Sequence, residues 1–219
     1  MRLNPHQIYS LPKGLRMPRP IHPQQIRTRT QRCLREAEIP TRYAETTFET
    51  LDPRCQPSAY AQCREYALTG RCQGKRGLLL IGPPGTGKTS LAVAILRQVV
   101  QQTRGCCGVH FWNAPRGLEE IRQSFSQPEE ERLSVLDLRY NYLLVIDDLG
   151  KQKLSEWVAE QFYTLIDALW NEDKRVVITT NLSHADFIAH LDPALVSRIL
   201  GLCREVALEG RDQRPAVVS

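Results

Sequence analysis

Eight consecutive residues, Gly82, Pro83, Pro84, Gly85, Thr86, Gly87, Lys88 and Thr89, carry the spacing G-x-x-x-x-G-K-[ST] in full, and Ser90 follows them in the same loop-to-helix stretch. Glycines at 82, 85 and 87 let the backbone take turns that a β-carbon would block. The loop can then aim its N–H groups at an anion. A helix starting near Gly87 would add the positive end of its dipole. Lys88 supplies a point charge able to follow the β- and γ-phosphates of a nucleotide. Thr89 offers a hydroxyl to a magnesium ion, a hard cation that takes few protein ligands and keeps several waters. The chemistry expected here is binding of a nucleotide's phosphates with Mg2+.

Three further positions extend that reading. The apolar run Tyr142-Leu143-Leu144-Val145-Ile146 ends in Asp147-Asp148, about 60 residues after Lys88. Asp147 would hold the magnesium, directly or through water. Asp148 would orient and polarise the attacking water. Thr179-Thr180-Asn181 ends another apolar run, which places the Asn181 amide where it could bond both the water and a phosphate oxygen. Ser197-Arg198 lies on a short helical stretch beyond it. An arginine fork there can stabilise charge on a transferring phosphoryl group.

Strands and helices must alternate to position these groups. Strands are expected at 78–81, 109–112, 142–146, 175–180 and 205–208. The helix after the phosphate loop carries Leu91, Val93, Ile95, Leu96, Val99 and Val100. Further helices are expected at 57–69, 116–126, 129–139, 155–171, 184–189 and 193–200. Trp157, Val158, Phe162, Leu165, Ile166 and Leu169 form the apolar stripe of the long one. The pattern is that of an α/β fold with a parallel five-stranded sheet covered by helices on both faces.

The chain has 219 residues and a net charge of +5. Residues 1–42 carry nine Lys/Arg against Glu36 and Glu38, whereas the rest is slightly acidic. The positive charge therefore belongs to an amino-terminal arm, residues 1–38, which is rich in proline and points to an acidic or anionic partner. Residues 24–38 have the spacing of a short helix that either docks a partner or folds back on its own domain. Residues 39–214 form the catalytic domain and 215–219 a tail. Seven cysteines without a C-x-x-C pair read as reduced thiols, which fits a cytoplasmic protein. No run is long and apolar enough for a membrane span, so no membrane contact is expected.

The set of motifs, in this order, resembles the AAA+ ATPases and, within them, the DnaC/IstB-like group of replicative helicase loaders and transposition helper ATPases. The stretches that carry the resemblance are IPTRYAETTFETLD (39–52), GPPGTGKTSLA (82–92), YLLVIDDLGKQ (142–152), VVITTNLS (176–183), SRI (197–199) and VALEGRDQR (206–214). The resemblance implies a P-loop AAA+ core without a C-terminal helical lid and Mg2+-dependent ATP hydrolysis. Asn181 would be the sensor residue, and Arg198 a finger acting in trans within a homo-oligomer. It also implies a replicative helicase as partner, gripped through the arm, and single-stranded DNA, with Arg116, Arg122, Arg132 and Arg139 as candidate phosphate contacts. The alternatives are a helper ATPase assembling on duplex DNA and a nucleotide-gated adaptor that hydrolyses little.

The phosphate loop generates the first expected outcome. Lys88→Ala should lose magnesium-dependent ATP binding in isothermal titration, and wild-type affinity in that variant would refute the assignment.

Overall fold

The computed structural model describes residues 22–150 and 155–210. The proline-rich part of the arm, the stretch 151–154 and the tail therefore lie outside the described residues. Strands β1 (Gly77–Ile81), β2 (Val109–Asn113), β3 (Leu143–Leu149), β4 (Arg175–Thr180) and β5 (Cys203–Ala207) form one sheet in the order β2-β3-β4-β1-β5. Every pairing is parallel. All strands thus point the same way, and the loops leaving their carboxyl ends gather at one edge, where ligands of open α/β sheets bind.

Among the described residues seven α-helices precede or connect the strands: α1 (Pro23–Glu36), α2 (Pro57–Thr69), α3 (Lys88–Gln102), α4 (Ala114–Ser124), α5 (Glu156–Asn171), α6 (His184–His190) and α7 (Pro193–Leu202). Local chemistry sets their starts. Asn113, Ser155, Ser183 and Asp192 each accept a hydrogen bond from a first-turn N–H of α4, α5, α6 and α7. Alternate residues of β1 face opposite cores. Leu78 and Leu80 pack under α1, α2 and α3, and Leu79 and Ile81 pack under α4 to α7. Each face buries a continuous apolar layer, as a sheet covered on both sides requires.

Two of the open sequence readings are resolved here. Helix α1 folds back on its own domain. Cys33 and Ala37 are buried, the Cys33 thiol lies 3.3 Å from the Cys107 carbonyl, and the Phe111 N–H donates to the Ala37 carbonyl at 2.8 Å. The helix expected at 129–139 does not form. Two 3-10 turns, Glu129–Glu131 and Val135–Tyr140, stand in its place, with Arg132 extended between them. Three adjacent carboxylates in the first turn give no apolar face. Val135 and Leu138, which do pack inward, are spaced three apart, the period of a 3-10 turn. Among the described residues no helix is long and apolar enough to cross a membrane. All seven cysteines are free thiols.

The edge strand β2 makes stability depend on pH. Burial pushes the His110 imidazole below its ordinary pKa, against the opposing pull of Glu38 and Glu120. The folded state therefore prefers neutral His110, whereas the unfolded chain takes up the proton near pH ~6.5. The stabilisation is present above that value and is lost as pH falls below it. The urea midpoint should drop between pH 7.5 and 5, and His110→Gln should show a shallower drop over the same range. An unchanged slope in the variant would refute this.

Candidate nucleotide site

The phosphate loop leaves the carboxyl end of β1, the strand between β4 and β5. Gly82 sits at φ 149°, and a β-carbon there would collide with the Leu208 carbonyl. That contact is tight because the Leu208 N–H donates to the Ile81 carbonyl at 2.8 Å. The chain after β5 therefore braces the loop where it turns. Gly87, at φ 93°, caps α3 and sets the amino end of that helix under the loop. The Thr86 hydroxyl donates to the Pro83 carbonyl at 2.9 Å and holds the loop closed. Lys88 is buried at 5% exposure, and its ammonium donates to the carbonyls of Gly82 and Pro83 at 2.7 and 2.6 Å.

Asp147 is the hub. It is 2% exposed and lies near the end of β3. Its Oδ1 accepts from the Thr89 hydroxyl at 2.9 Å and from the Thr179 hydroxyl at 2.8 Å, and its Oδ2 from the Asn113 amide at 3.4 Å. Burial raises the carboxyl pKa, and the three donors pull it back. Asp148 follows in a bulge between Ile146 and Leu149, at φ 62°. Its N–H donates to Thr179 Oγ1 at 3.0 Å, and its Oδ1 accepts from the Asn181 amide at 2.9 Å. One threonine hydroxyl thus binds both members of the acidic pair.

The structure brings together Lys88, Thr89, Asp147, Asp148 and Asn181, all of which the sequence pattern named. Thr179 and Asn113 were missed as site residues. Their signal was a polar side chain at the carboxyl end of a neighbouring strand, the same signal that identified Asn181. Arg198 stands apart, on α7. Its Nε lies 2.5 Å from Asp167 Oδ1 on α5, and its guanidinium lies 4.6 Å from the centre of the Tyr163 ring. Arg116 and Arg139 pair with Glu120 and Glu172, Arg122 lies over the Trp157 ring, and Arg132 donates to the Gln127 carbonyl.

These residues fit a magnesium nucleotide. A buried ammonium and a helix amino terminus converge on the loop, and the Thr89 hydroxyl and Asp147 carboxylate present the hard oxygen donors that magnesium takes. A cleft of about 140 Å³ opens beside Gly87 between Leu51, Tyr60 and Leu91. Its apolar walls could seat a nucleobase. The Gln56 amide donates to the Glu209 carbonyl and ties this wall to the chain after β5.

Comparison with known proteins agrees with this geometry. A family model of IstB-like ATP binding proteins matches residues 22–215. An uncharacterised protein of Bacillus subtilis, YqaM, is 28% identical over 152 residues, which cover 66% of this chain and 46% of the relative, so the chain spans under half of that protein. The ATP-binding protein of insertion sequence IS21 from Pseudomonas aeruginosa is 26% identical over 187 residues, covering 83% of this chain and 68% of the relative. The crystal structure of the DnaC helicase loader superposes with a TM-score of 0.67 at 26% identity, covering 78% of this chain and 100% of that one.

The double role of Thr179 sets an expectation. Thr179→Val keeps the shape but leaves the Asp148 N–H without its acceptor and Asp147 with one donor fewer. Stability should fall by about 1–3 kcal/mol in urea titration. ATP turnover should fall at least about tenfold while ATP affinity changes less, because the phosphate loop is untouched. Equal losses in affinity and turnover would refute the positioning role.

Proposed function

The chain belongs to the IstB-like ATP binding proteins, a DnaC/IstB-like group of AAA+ ATPases, and from that premise we propose that it is a Mg2+-dependent ATPase that loads or remodels a replicative helicase on single-stranded DNA. The observation that carries the hydrolytic part is the held acidic pair. Asp147 is joined to Thr89 where a magnesium ion would sit, and Asp148 is aimed by Asn181 and Thr179. Thr89 and Asp147 would hold the ion, which would supply neutralisation of phosphate charge. Lys88 exchanges its loop carbonyls for phosphate oxygens. Asp148 accepts a hydrogen bond from the attacking water and orients it. Asn181 keeps that carboxylate in line and would sense the γ-phosphate through the same amide.

Support for the helicase role comes from the DnaC likeness, which spans the whole of that loader's solved chain. A second reading, a transposition helper on duplex DNA, is favoured by the family description and by the IS21 relative. The kind of DNA that stimulates turnover decides between them. Single strands should accelerate hydrolysis more than a duplex of equal length, and the reverse would favour the helper. The helicase would be gripped by the arm ahead of α1, since α1 itself is committed to the domain.

Arg198 is the finger in this reading, and it acts on a neighbouring copy. In a lone chain it is occupied by Asp167 and Tyr163. Isolated subunits should therefore turn over slowly, and assembly on DNA should raise the rate as the guanidinium leaves Asp167. An arginine finger contributes roughly 10³–10⁵ in rate where P-loop enzymes use one. Arg198→Ala should bind ATP normally and lose the assembly-stimulated rate. Mixing Arg198→Ala with Asp148→Asn should restore part of it, because some interfaces then join an intact Asp148 to an intact Arg198. If the mixture assembles yet stays as inactive as its parts, the in-trans role is wrong.

A further inference from the structure

The amino-terminal ends of the strands carry a second surface, at the edge of the sheet away from the phosphate loop. The segments that lead into β1, β3 and β4 meet there. Two clefts of about 400 and 300 Å³ open side by side and share Arg76 and Asp173 as a common wall. Three aromatic side chains stand at these clefts in spite of their size. Tyr140 is 70% exposed, Trp170 44% and Tyr142 38%. An apolar ring left in water at one position is ordinary, but three around one pair of clefts form a patch.

Cations surround the rings. Arg71 and Arg76 share Asp173 at 3.3 and 3.1 Å, and Arg139 and Lys174 share Glu172 at 3.4 and 3.3 Å. Each carboxylate meets two cations, so the ion pairs leave positive charge in excess. Arg175 adds to it and lies 4.6 Å from the centre of the Tyr142 ring, and Arg139 lies 4.8 Å from that of Tyr140. Guanidinium groups interleaved with exposed rings suit a ligand that is both anionic and flat-faced. A single nucleic-acid strand is that ligand, since its phosphates meet the charge and its unpaired bases stack on the rings. A duplex hides its base faces, and an acidic peptide has no use for three rings.

We propose that this basal face binds single-stranded DNA, at the opposite end of the sheet from ATP. The choice of DNA rests on the reading that the protein works on single strands. The site itself rests on the clefts, the rings and the charge. A strand here does not compete with nucleotide, so binding needs no ATP. It gives the subunit a hold on DNA that persists through the hydrolytic cycle.

The test is fluorescence anisotropy of a labelled oligo(dT) with the full chain, without nucleotide, across a salt series. Tyr140→Ala should weaken binding roughly five- to hundredfold, the range for one stacked base, and Tyr140→Phe should restore it. Lys174→Gln should lower the slope of log affinity against log salt by about 0.7, the value for one single-strand phosphate contact. Both variants should keep wild-type ATP affinity, which shows that they fold. An oligonucleotide carrying 5-iodouracil should photocross-link to Tyr140, Tyr142 or Trp170. If the wild type binds but the variants match it and the cross-links fall elsewhere, this surface is wrong and the single-strand reading survives. If the wild type binds oligo(dT) only when ATP is added, this surface is wrong and the single-strand reading survives; if it does not bind with ATP either, both are wrong. Displacement by poly-glutamate as readily as by unlabelled oligo(dT) would assign the face to an acidic protein and overturn the proposal.

Discussion

Asp147 is a carboxylate removed from water and gripped by donors from three different parts of the chain. A buried charge of this kind is costly unless its oxygens are hydrogen-bonded. Here the donors are Thr89 at the start of α3, Thr179 on β4 and Asn113 at the end of β2. Asp147 lies on β3, between β2 and β4, and α3 begins beside β1, the next strand over. The order β2-β3-β4-β1 is therefore the arrangement that lets all three reach it. Another order would leave the carboxylate short of a partner. The hub thereby ties the two cores together, because its donors sit on the loop ends of strands whose faces feed both apolar layers.

Much of this site is written in local sequence. The phosphate loop needs glycine at fixed places, and its lysine and threonine follow at fixed spacing. Asp147, Asp148 and Asn181 announce themselves as polar residues ending apolar strands. Thr179 carried the same mark but hid inside a β-branched strand, where a threonine reads as an ordinary strand former. Asn113 is a helix cap with a second use, accepting from the Arg116 N–H while its amide donates to Asp147. A side chain with two uses shows only the nearer one in sequence. Strand order was not legible, because it depends on contacts far apart along the chain. The missing helix at 129–139 failed for a different reason. Its apolar residues have a period of three, and tertiary packing of Val135 and Leu138 selected the tighter turn.

The basic arm and α1 show a similar limit. Charge marked residues 1–38 as one segment, and in its described part, from residue 22 on, burial separates two sides of α1. The arginines of α1 lie on its outer side, while Cys33 and Ala37 reach the core beside α3 and β2. Composition sees the surface of that helix, and packing uses the other face. Arg198 teaches the same lesson in reverse. Its motif pointed outward to a neighbour, whereas in the single chain Asp167 and Tyr163 hold it. A guanidinium with a partly exposed carboxylate partner gains little net stability from it. The hold is weak enough to exchange for a stronger anion, so it can rest on α5 without being trapped there.

Asp148 raises the last question of balance. Its backbone sits at φ 62° in a bulge. A non-glycine residue held there costs about 1–3 kcal/mol and persists only when its surroundings hold it. The bulge turns the carboxylate off the regular alternation of the strand, a common way to re-aim a side chain next to an active site. Two hydrogen bonds oppose the strain, the backbone N–H to Thr179 and the carboxylate from Asn181. A neutral bond contributes about 0.5–1.5 kcal/mol and one to a charged group about 1.5–3. Strain and restraint are therefore of similar size. Bond by bond, the geometry of the Asp148 carboxylate depends on the pair that holds it. Thr179 and Asn181 therefore both act on the aim of that carboxylate toward the phosphate loop, one through the backbone and the other through the side chain.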